Sequence, residues 1–507
     1  MCKLCDEGQP QDHAAPRRGF LKATGAAAAG MGLFTPLMAR ADDERDRDRE
    51  PEDSGRHGRR YVIRGGAVMS MDPSVGDFAR ADVLVEGKKI LAVGPNLNVG
   101  GAAVVDARGR VVMPGFIDTH HHLFETALRS YLADGLLFND GQPHGAVNYF
   151  GDILGRFAPV YRPQDVYISE LFGSLSQLDA GVTTVHDISQ IHHSPQHSDA
   201  VIKALGDSGR RAVFGYFESA GGRAGNQYPA DARRIKQQYF SSSDQLLTMV
   251  MGGEIYLPGY AAAWTIGREL GIPVAAHIVG SFGMRPEFDR LAAAGAFGPD
   301  NLFIHMTGMS DLGWQKARDA GAGVSLAVPI EMNMRHGMPP ILKAVAMGMQ
   351  PSLSSDVECT LTADFFTQMR STMALQRALV NEMALQGMGG LPELLTTRDV
   401  LRFATLNGAR DLKLDRKVGS LTPGKEADII ILDAEAINVA PLNHVPGAVV
   451  SLMERSNVET VIVAGKVRKW KGRMLNVNLQ RLRRELEASR DHLFAAAGIT
   501  QNLFRPN

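Results

Sequence analysis

Short apolar segments alternate with amphipathic segments between Pro114 and Val418, and this alternation limits the possible folds more than any other feature of the chain. The predicted strands are Gly115–Asp118, Thr183–Asp187, Arg211–Tyr216, Leu246–Gly252, Val274–Ile278, Leu302–His305, Gly323–Ala327 and Ser352–Ser355. Predicted helices, including Asp199–Leu205, Gly259–Leu270, Asp311–Ala320 and Asp364–Leu379, fall between or after them. Strands that alternate with helices pair in parallel, and an open sheet rarely needs so many units. The pattern therefore predicts an α/β fold with a (β/α)₈ TIM barrel over residues 114–418.

Both flanks of this region consist of short alternating strands. They are predicted at Tyr61–Ile63, Ala67–Met69, Ala81–Glu86 and Ile90–Val93 before the barrel, and at Ala427–Leu432 and Val458–Val463 after it. We expect residues 61–113 and 419–475 to form one small composite β-sandwich domain from both ends of the chain. In the remaining segment, residues 476–507, a helix over about Leu479–Phe494 carries an apolar stripe and is expected to pack on the body of the protein.

The N-terminal residues resemble a twin-arginine export signal. Arg17 and Arg18 open a basic segment, an apolar run of small residues follows from Ala26 to Leu37, and Ala39-Arg40-Ala41 offers a small-x-small cleavage pattern. We expect residues 1–41 to be removed and the mature protein to be periplasmic or secreted. The apolar run is too short to span a bilayer, so no stable membrane anchor is expected after cleavage. Residues 42–60, which are rich in Asp, Glu and Arg, are expected to form a solvated linker.

Charge and cysteine content exclude several classes of partner and linkage. The chain has 54 Lys and Arg against 55 Asp and Glu, so there is no excess positive charge to attract a phosphate backbone, and nucleic acid is not an expected partner. Of the three cysteines, Cys2 and Cys5 precede the predicted cleavage point. Only Cys359 would remain, so no internal disulfide is expected.

Histidines stand where the first predicted barrel strand ends, in Pro114-Gly115-Phe116-Ile117-Asp118-Thr119-His120-His121-His122. Alternate residues of a strand face the same side, so His120 and His122 should point together. Later apolar runs also close on polar residues, namely His277, His305 and Asp356. Each of these taken singly fits a hydrogen-bonded structural role. Because barrel strands share one C-terminal face, the whole set predicts a site for one divalent cation.

Several stretches resemble the amidohydrolase superfamily, in particular its cytosine deaminase and atrazine chlorohydrolase branch. Besides the His-x-His segment they are Ala180–Val185, Ala404–Ala409 and Val418–Asp428, and the resemblance spans nearly all of the predicted mature chain. It implies that His120, His122, His277 and Asp356 bind the metal and that His305 polarises the substrate or orients the water. Dinuclear members carry a lysine or carboxylate bridge from the fourth strand. Leu246–Gly252 contains no lysine, and Glu254 lies just past its end, so a single Zn²⁺, or alternatively Fe²⁺, is expected.

The resemblance implies a hydrolase for a small molecule. A metal-activated water would attack a carbon–nitrogen bond, other than a peptide bond, in a cyclic amide, amidine or amino-substituted heterocycle, with Asp356 accepting a proton and His305 stabilising the developing charge. Two alternatives remain at this point. They are hydrolytic removal of halide or alkylamine from a heterocycle, and a non-catalytic barrel that binds a metabolite. Many relatives are homo-oligomers, so a homo-oligomer is also possible in principle.

One position departs from the branch's pattern. Its members usually carry a proton-shuttling glutamate three residues after the strand-five histidine, where this chain has Gly280. Glu331 or His336, in the loop after the seventh strand, is predicted either to replace that glutamate or to make an ordinary structural hydrogen bond. Weaker candidates for the rim of the site are Glu125, His186 and His193.

The long segment Leu123–Tyr161 follows the first predicted barrel strand. Its aromatic residues include Phe124, Tyr131, Phe138, Tyr149 and Phe150. A loop this long in a barrel either forms an apolar lid that excludes water or packs on its own aromatic side chains at the surface.

Overall fold

The structure is a computed structural model that describes residues 50–220 and 227–504. The predicted export signal, residues 1–41, and residues 42–49 of the predicted linker lie outside the described residues. Residues 50–59 form turns that lead into the first strand. Within the described ranges, no helix combines the length and the apolar character needed to cross a membrane.

Five strands carry the chain to the barrel. They are β1 (Arg60–Met69), β2 (Asp77–Glu86), β3 (Lys89–Gly94), β4 (Ala103–Asp106) and β5 (Arg110–Pro114). β1 pairs antiparallel with β2 and parallel with β4 and β5. Gly115 follows β5 directly, and a Cβ atom at this position would lie 2.2 Å from Oγ1 of Thr183. Only glycine therefore permits the close approach with which the barrel begins.

Eight parallel strands form the barrel in chain order. They are β6 (Phe116–His121), β7 (Val182–Ser189), β8 (Arg211–Tyr216), β9 (Leu247–Gly252), β10 (Val274–Val279), β11 (Asn301–Thr307), β12 (Gly323–Leu326) and β13 (Ser352–Leu353). The first and last strands meet through a parallel bridge between His121 and Asp356. The Asp356 N–H donates to the His120 carbonyl at 3.0 Å, and the His122 N–H donates to the Asp356 carbonyl at 2.9 Å. The predicted (β/α)₈ barrel is confirmed, and its seam lies among the predicted site residues.

Helices follow the barrel strands, and short helical turns fill the loops. The α-helices of the barrel region are Pro163–Asp179, Pro195–Ser208, Ala232–Tyr239, Tyr260–Glu269, Arg285–Ala293, Asp311–Asp319, Val328–Asn333, Ile341–Ala346, Phe365–Leu385, Thr397–Arg402 and Gly408–Asp411. Shorter 3₁₀ or π turns are Leu123–Leu128, Pro143–Gly145, Tyr149–Phe157, Ala158–Val160, Gly280–Phe282 and Phe403–Asn407. A Cβ atom at Gly408 would lie 2.9 Å from Cβ of Ile117, so the Ala404–Ala409 segment packs against β6 through a position that accepts only glycine without a shift.

The chain then returns to the first sheet. The strands are β14 (Ile429–Asp433), β15 (Val458–Val463), β16 (Lys466–Trp470) and β17 (Arg473–Met474), with helical segments at Val445–Ser451 and Arg455–Asn457. β14 pairs antiparallel with β5, so both chain ends share one nine-stranded sheet. This sheet has an apolar core of its own, which includes Ile63, Val83, Ile429 and Ile462. The additional β domain built from both chain ends is therefore confirmed as part of the fold.

The last helix, Leu479–Ala496, packs on the barrel as its apolar stripe predicts. Leu482, Leu486 and Leu493 are buried. The Ser489 hydroxyl donates to the Asp165 carboxylate at 2.8 Å, which ties this helix to the start of the Pro163–Asp179 helix.

A buried ion pair connects the barrel to the β domain. The Arg211 guanidinium donates to Asp428 at 2.9 Å and to Glu426 at 2.6 Å, and all three side chains are buried. We expect Arg211→Leu to lower the free energy of unfolding by about 3–5 kcal/mol, because two buried carboxylates lose their cation. Urea unfolding measures this change. Arg233→Leu, which removes an exposed arginine, is the control and should shift stability by less than about 1 kcal/mol. An equal effect of the two substitutions would contradict the assignment.

Candidate metal centre and active site

Three imidazoles converge at the C-terminal mouth of the barrel. Nε2 of His120 lies 3.0 Å from Nε2 of His122 and 3.0 Å from Nε2 of His277, and all three side chains are buried. Two Zn–N bonds of about 2.1 Å at the tetrahedral angle separate their nitrogens by about 3.4 Å, which is close to these distances. The three nitrogens thus have the spacing of ligands around a shared cation.

Hydrogen bonds on the far side of two rings fix their orientation. Nδ1 of His122 lies 2.9 Å from the Ile188 carbonyl oxygen, and Nδ1 of His277 lies 2.6 Å from Oε1 of Glu254. Glu254 also accepts the backbone N–H of His277 at 3.2 Å. A ring that donates from Nδ1 keeps the lone pair on Nε2 for a metal. Glu254 therefore orients the His277 ring through a contact on the side away from the other imidazoles.

Asp356 completes the cluster. Its Oδ1 lies 3.5 Å from Nε2 of His120 and 3.7 Å from Nε2 of His122, and its Oδ2 lies 3.6 Å from Nε2 of His305. The sets His120–His122–His277 and His120–His305–Asp356 each have ligand atoms within 4.8 Å of one another. Asp356 and His305 have φ of 61° and 71°. Such left-handed conformations cost free energy and occur where a site needs a side chain in a particular direction.

Burial controls the charge of these groups. It lowers the pKa of His120, His122 and His305 well below the usual range, which keeps the imidazoles in the neutral form that metals bind. It raises the pKa of Asp356 well above its usual range. A bound dication would offset the desolvation of this carboxylate. The neutral imidazoles of His120 and His122 and the Asp356 carboxylate, together with the nearby Nε2 of His277, therefore fit one divalent cation.

The two predicted relay residues lie beside His305. Nδ1 of His305 is 3.0 Å from Oε1 of Glu331, which also accepts the Ala327 N–H at 2.9 Å. Burial raises the pKa of Glu331 to about 8. The His336 ring lies 4.7 Å from the His305 ring, and its Nε2 is 4.0 Å from Oδ2 of Asp356. Burial lowers the pKa of His336 to about 3, so the His305–Glu331 pair is the better carrier of a proton near neutral pH.

The three weaker candidates do not line the cavity above the metal centre. Glu125 accepts the Tyr149 hydroxyl at 2.7 Å, and burial raises its pKa to about 8. Nδ1 of His186 lies 2.9 Å from the Thr119 carbonyl oxygen. His193 lies 2.8 Å from the Ala158 carbonyl oxygen and 2.6 Å from the Ser219 hydroxyl. These contacts give the three residues structural roles around the site.

A cavity opens onto the metal centre. The long segment after β6 contributes to its wall, as the lid interpretation requires. The described residues that line it are His122, Leu137, Tyr149, Phe150, Leu154, Gln190, Tyr256, His277, Val279, Phe282, His305, Met334, His336, Asp356 and Val357. Sequence reasoning missed Gln190, although its position directly after β7, on the same barrel face as the histidines, was an available signal.

The structure leaves no room for a side chain at Gly280, the position where the resemblance implies a glutamate. A Cβ atom on Gly280 would lie 2.7 Å from the Thr307 carbonyl oxygen and 3.1 Å from Cα of Gly308. Both contacts are with backbone, which cannot move aside cheaply. The loops after β10 and β11 are thus packed together in a way that depends on the glycine.

Solved structures share this fold. An adenosine deaminase from Xanthomonas campestris with bound zinc superposes with a TM-score of 0.74 at 21% identity, covering 87% of this chain and 100% of that one. An atrazine chlorohydrolase from Arthrobacter aurescens complexed with zinc gives 0.73 at 20% identity, covering 85% and 100%. At these identities the likeness establishes the fold.

Sequence comparison identifies the family. A 5'-deoxyadenosine deaminase of Methanosarcina mazei is 26% identical over 450 residues, which cover 86% of this chain and 98% of the relative. A 5-methylthioadenosine/S-adenosylhomocysteine deaminase of Pelotomaculum thermopropionicum is 24% identical over 445 residues, covering 84% and 97%. The signature of the Amidohydrolase family matches residues 111–468, more than half of the chain. The chain belongs to the amidohydrolase family.

Proposed function

We propose that this protein is a metal-dependent hydrolase that cleaves a carbon–nitrogen bond, other than a peptide bond, in a small heterocyclic amide, amidine or amine. The observation that carries the proposal is the convergence of three Nε2 atoms and the Asp356 carboxylate beneath a cavity lined mainly by apolar and aromatic side chains. The family and its deaminase relatives support the choice of a carbon–nitrogen bond.

His120, His122, His277 and Asp356 would hold the cation. When bound, a divalent cation supplies a water acidic enough to ionise near neutral pH. Asp356 is placed to accept the proton of that water, because its Oδ2 has no hydrogen-bond partner in the described part of the chain. His305 faces Asp356 through Nε2 and is placed to donate to the charge that develops on the substrate.

The leaving nitrogen also needs a proton. Since Gly280 offers no acid, the His305–Glu331 pair takes that role in this proposal. Burial keeps the His305 imidazole neutral and raises the pKa of Glu331 to about 8, so the proton of the pair resides on Glu331. His305 lines the cavity and Glu331 does not, so Glu331 acts through His305.

A substrate panel tests this reaction. Zinc-loaded protein would be incubated with aminopurines, aminopyrimidines, cyclic amides, and chloro- and alkylamino-substituted triazines, with ammonia and organic products identified by mass spectrometry. We expect release of ammonia or opening of a cyclic amide. Release of halide or alkylamine alone would mean that the enzyme hydrolyses those substituents instead. Absence of turnover on every ring of the panel would refute the proposed function.

We further propose Zn²⁺ as the resident ion and twin-arginine export as the route to the periplasm or medium. A double substitution that keeps the positive charge tests the export route. Arg17→Lys combined with Arg18→Lys should leave the protein in the cytoplasmic fraction. Arg45→Lys with Arg47→Lys is the matched control and should be exported normally. Equal export of both variants would contradict the twin-arginine route.

A further inference from the structure

Gln190 carries a buried amide oxygen that no described residue hydrogen-bonds. It follows β7, lines the cavity and is 7% exposed, and its Oε1 has no hydrogen-bond partner among the described residues. Its main chain is held in place, since its carbonyl accepts the Ala220 N–H at 2.8 Å. Burying an amide oxygen without a partner costs free energy that a ligand can recover by donating to it.

The other polar groups of the cavity are imidazoles, one carboxyl group and the hydroxyls of Tyr149 and Tyr256, and of the imidazoles His336 lies beside His305. His122, His277 and Asp356 belong to the metal centre, and His305 is paired with Glu331. The Tyr149 hydroxyl is turned toward Glu125 at 2.7 Å. Gln190 is therefore the amide that remains to recognise a substrate.

The rest of the wall is apolar and aromatic. Phe150 and Phe282 lie 5.1 Å apart between ring centroids, Phe138 stacks on Phe150 at 4.6 Å, and Tyr256 meets Phe282 edge-on at 5.6 Å. Asp356 is the only carboxyl group among the lining residues of the described chain, and none of them is Lys or Arg. A substrate bearing a phosphate or carboxylate would meet no cationic side chain among these residues, and a ribose would exchange most of its hydration for apolar contacts.

We infer that Gln190 determines specificity and that the substrate is a flat, uncharged heterocycle with apolar ring substituents, whose ring edge hydrogen-bonds the Gln190 amide. This inference rests on the proposed function, because it names the substrate class of the same site. The aromatic wall would cover the ring and its substituents, while Gln190 would fix the orientation of the ring above Asp356.

Binding to the zinc-loaded full chain tests the inference without requiring turnover. The probes form two matched pairs, each with the same base. One pair is adenosine and adenine with a butyl chain on the nitrogen that bears ribose in the nucleoside. The other pair is cytidine and the corresponding butyl-substituted cytosine. By isothermal titration calorimetry we expect at least one butyl probe to bind about tenfold or more tightly than its nucleoside. Equal or tighter binding of the nucleosides, or no binding of either butyl probe, would overturn the inference.

Gln190→Leu tests the residue itself. We expect it to weaken binding of the preferred butyl probe about tenfold, as loss of one buried hydrogen bond does, with zinc content and melting temperature unchanged. Gln386→Leu, at an exposed glutamine, is the matched control and should bind like the wild type. Unchanged affinity in Gln190→Leu would remove Gln190 from recognition.

Rates on the same probes separate the two proposals. Hydrolysis that favours the nucleosides would keep the proposed function and refute the substrate class. Tight, Gln190-dependent binding of a butyl probe would keep the substrate class, even if the separate heterocycle panel refuted carbon–nitrogen hydrolysis.

Discussion

Asp356→Asn is expected to lower kcat by about 10³-fold or more. The substitution keeps an oxygen near His120 and His122 but removes the negative charge that binds the cation and the base that accepts a proton. Asparagine tolerates the left-handed conformation that Asp356 adopts at φ 61°, so the backbone should be preserved. Steady-state kinetics on the best substrate of the panel measure the effect, and metal analysis of the same sample reports ligand loss.

The control for Asp356→Asn is Asp134→Asn, which makes the same chemical change at an exposed position. It should leave both kcat and metal content unchanged. If Asp356→Asn retained full activity and full metal content, Asp356 would be neither a ligand nor a base, and the site would have to be assigned differently.

Glu331→Gln is expected to lower kcat by about 10²-fold or more near neutral pH with little change in KM. Glutamine can still accept from the Ala327 N–H and from His305, so the ring should keep its position. It cannot take up a proton, so the His305–Glu331 pair could no longer supply one to the leaving nitrogen. The pH profile of kcat is the informative measurement, because a purely structural defect would lower the rate equally at every pH.

Glu393→Gln, at an exposed glutamate, is the matched control for Glu331→Gln and should behave as the wild type. An unaltered rate and pH profile in Glu331→Gln would show that the proton comes from another group. His336, whose ring lies beside His305, would then be the next residue to replace.

The sequence was most informative where a residue's place on a strand determines its direction. His120 and His122 are two apart at one strand end, and His277 follows an apolar run that was predicted as a strand, so their convergence follows from barrel geometry. The composite β domain was likewise predictable, because its strands alternate on both flanks of the barrel.

Other features depend on contacts between distant loops and could not be read from the chain. Glu254 contacts His277 from just past the end of the neighbouring strand, and the carbonyl of Thr307, at the end of β11, leaves room only for glycine at position 280. That Oε1 of Gln190 lacks a hydrogen-bond partner among the described residues can be seen only in the folded structure. Such properties arise from tertiary packing, which no local pattern encodes.

The most direct test of the metal centre is elemental analysis of the purified protein combined with chelation and restoration. The account predicts about one equivalent of a divalent ion per chain, loss of hydrolysis when the ion is removed, and recovery when Zn²⁺ is returned. His122→Ala should bind less ion under the same conditions. Full turnover by protein shown to be free of metal would contradict the account.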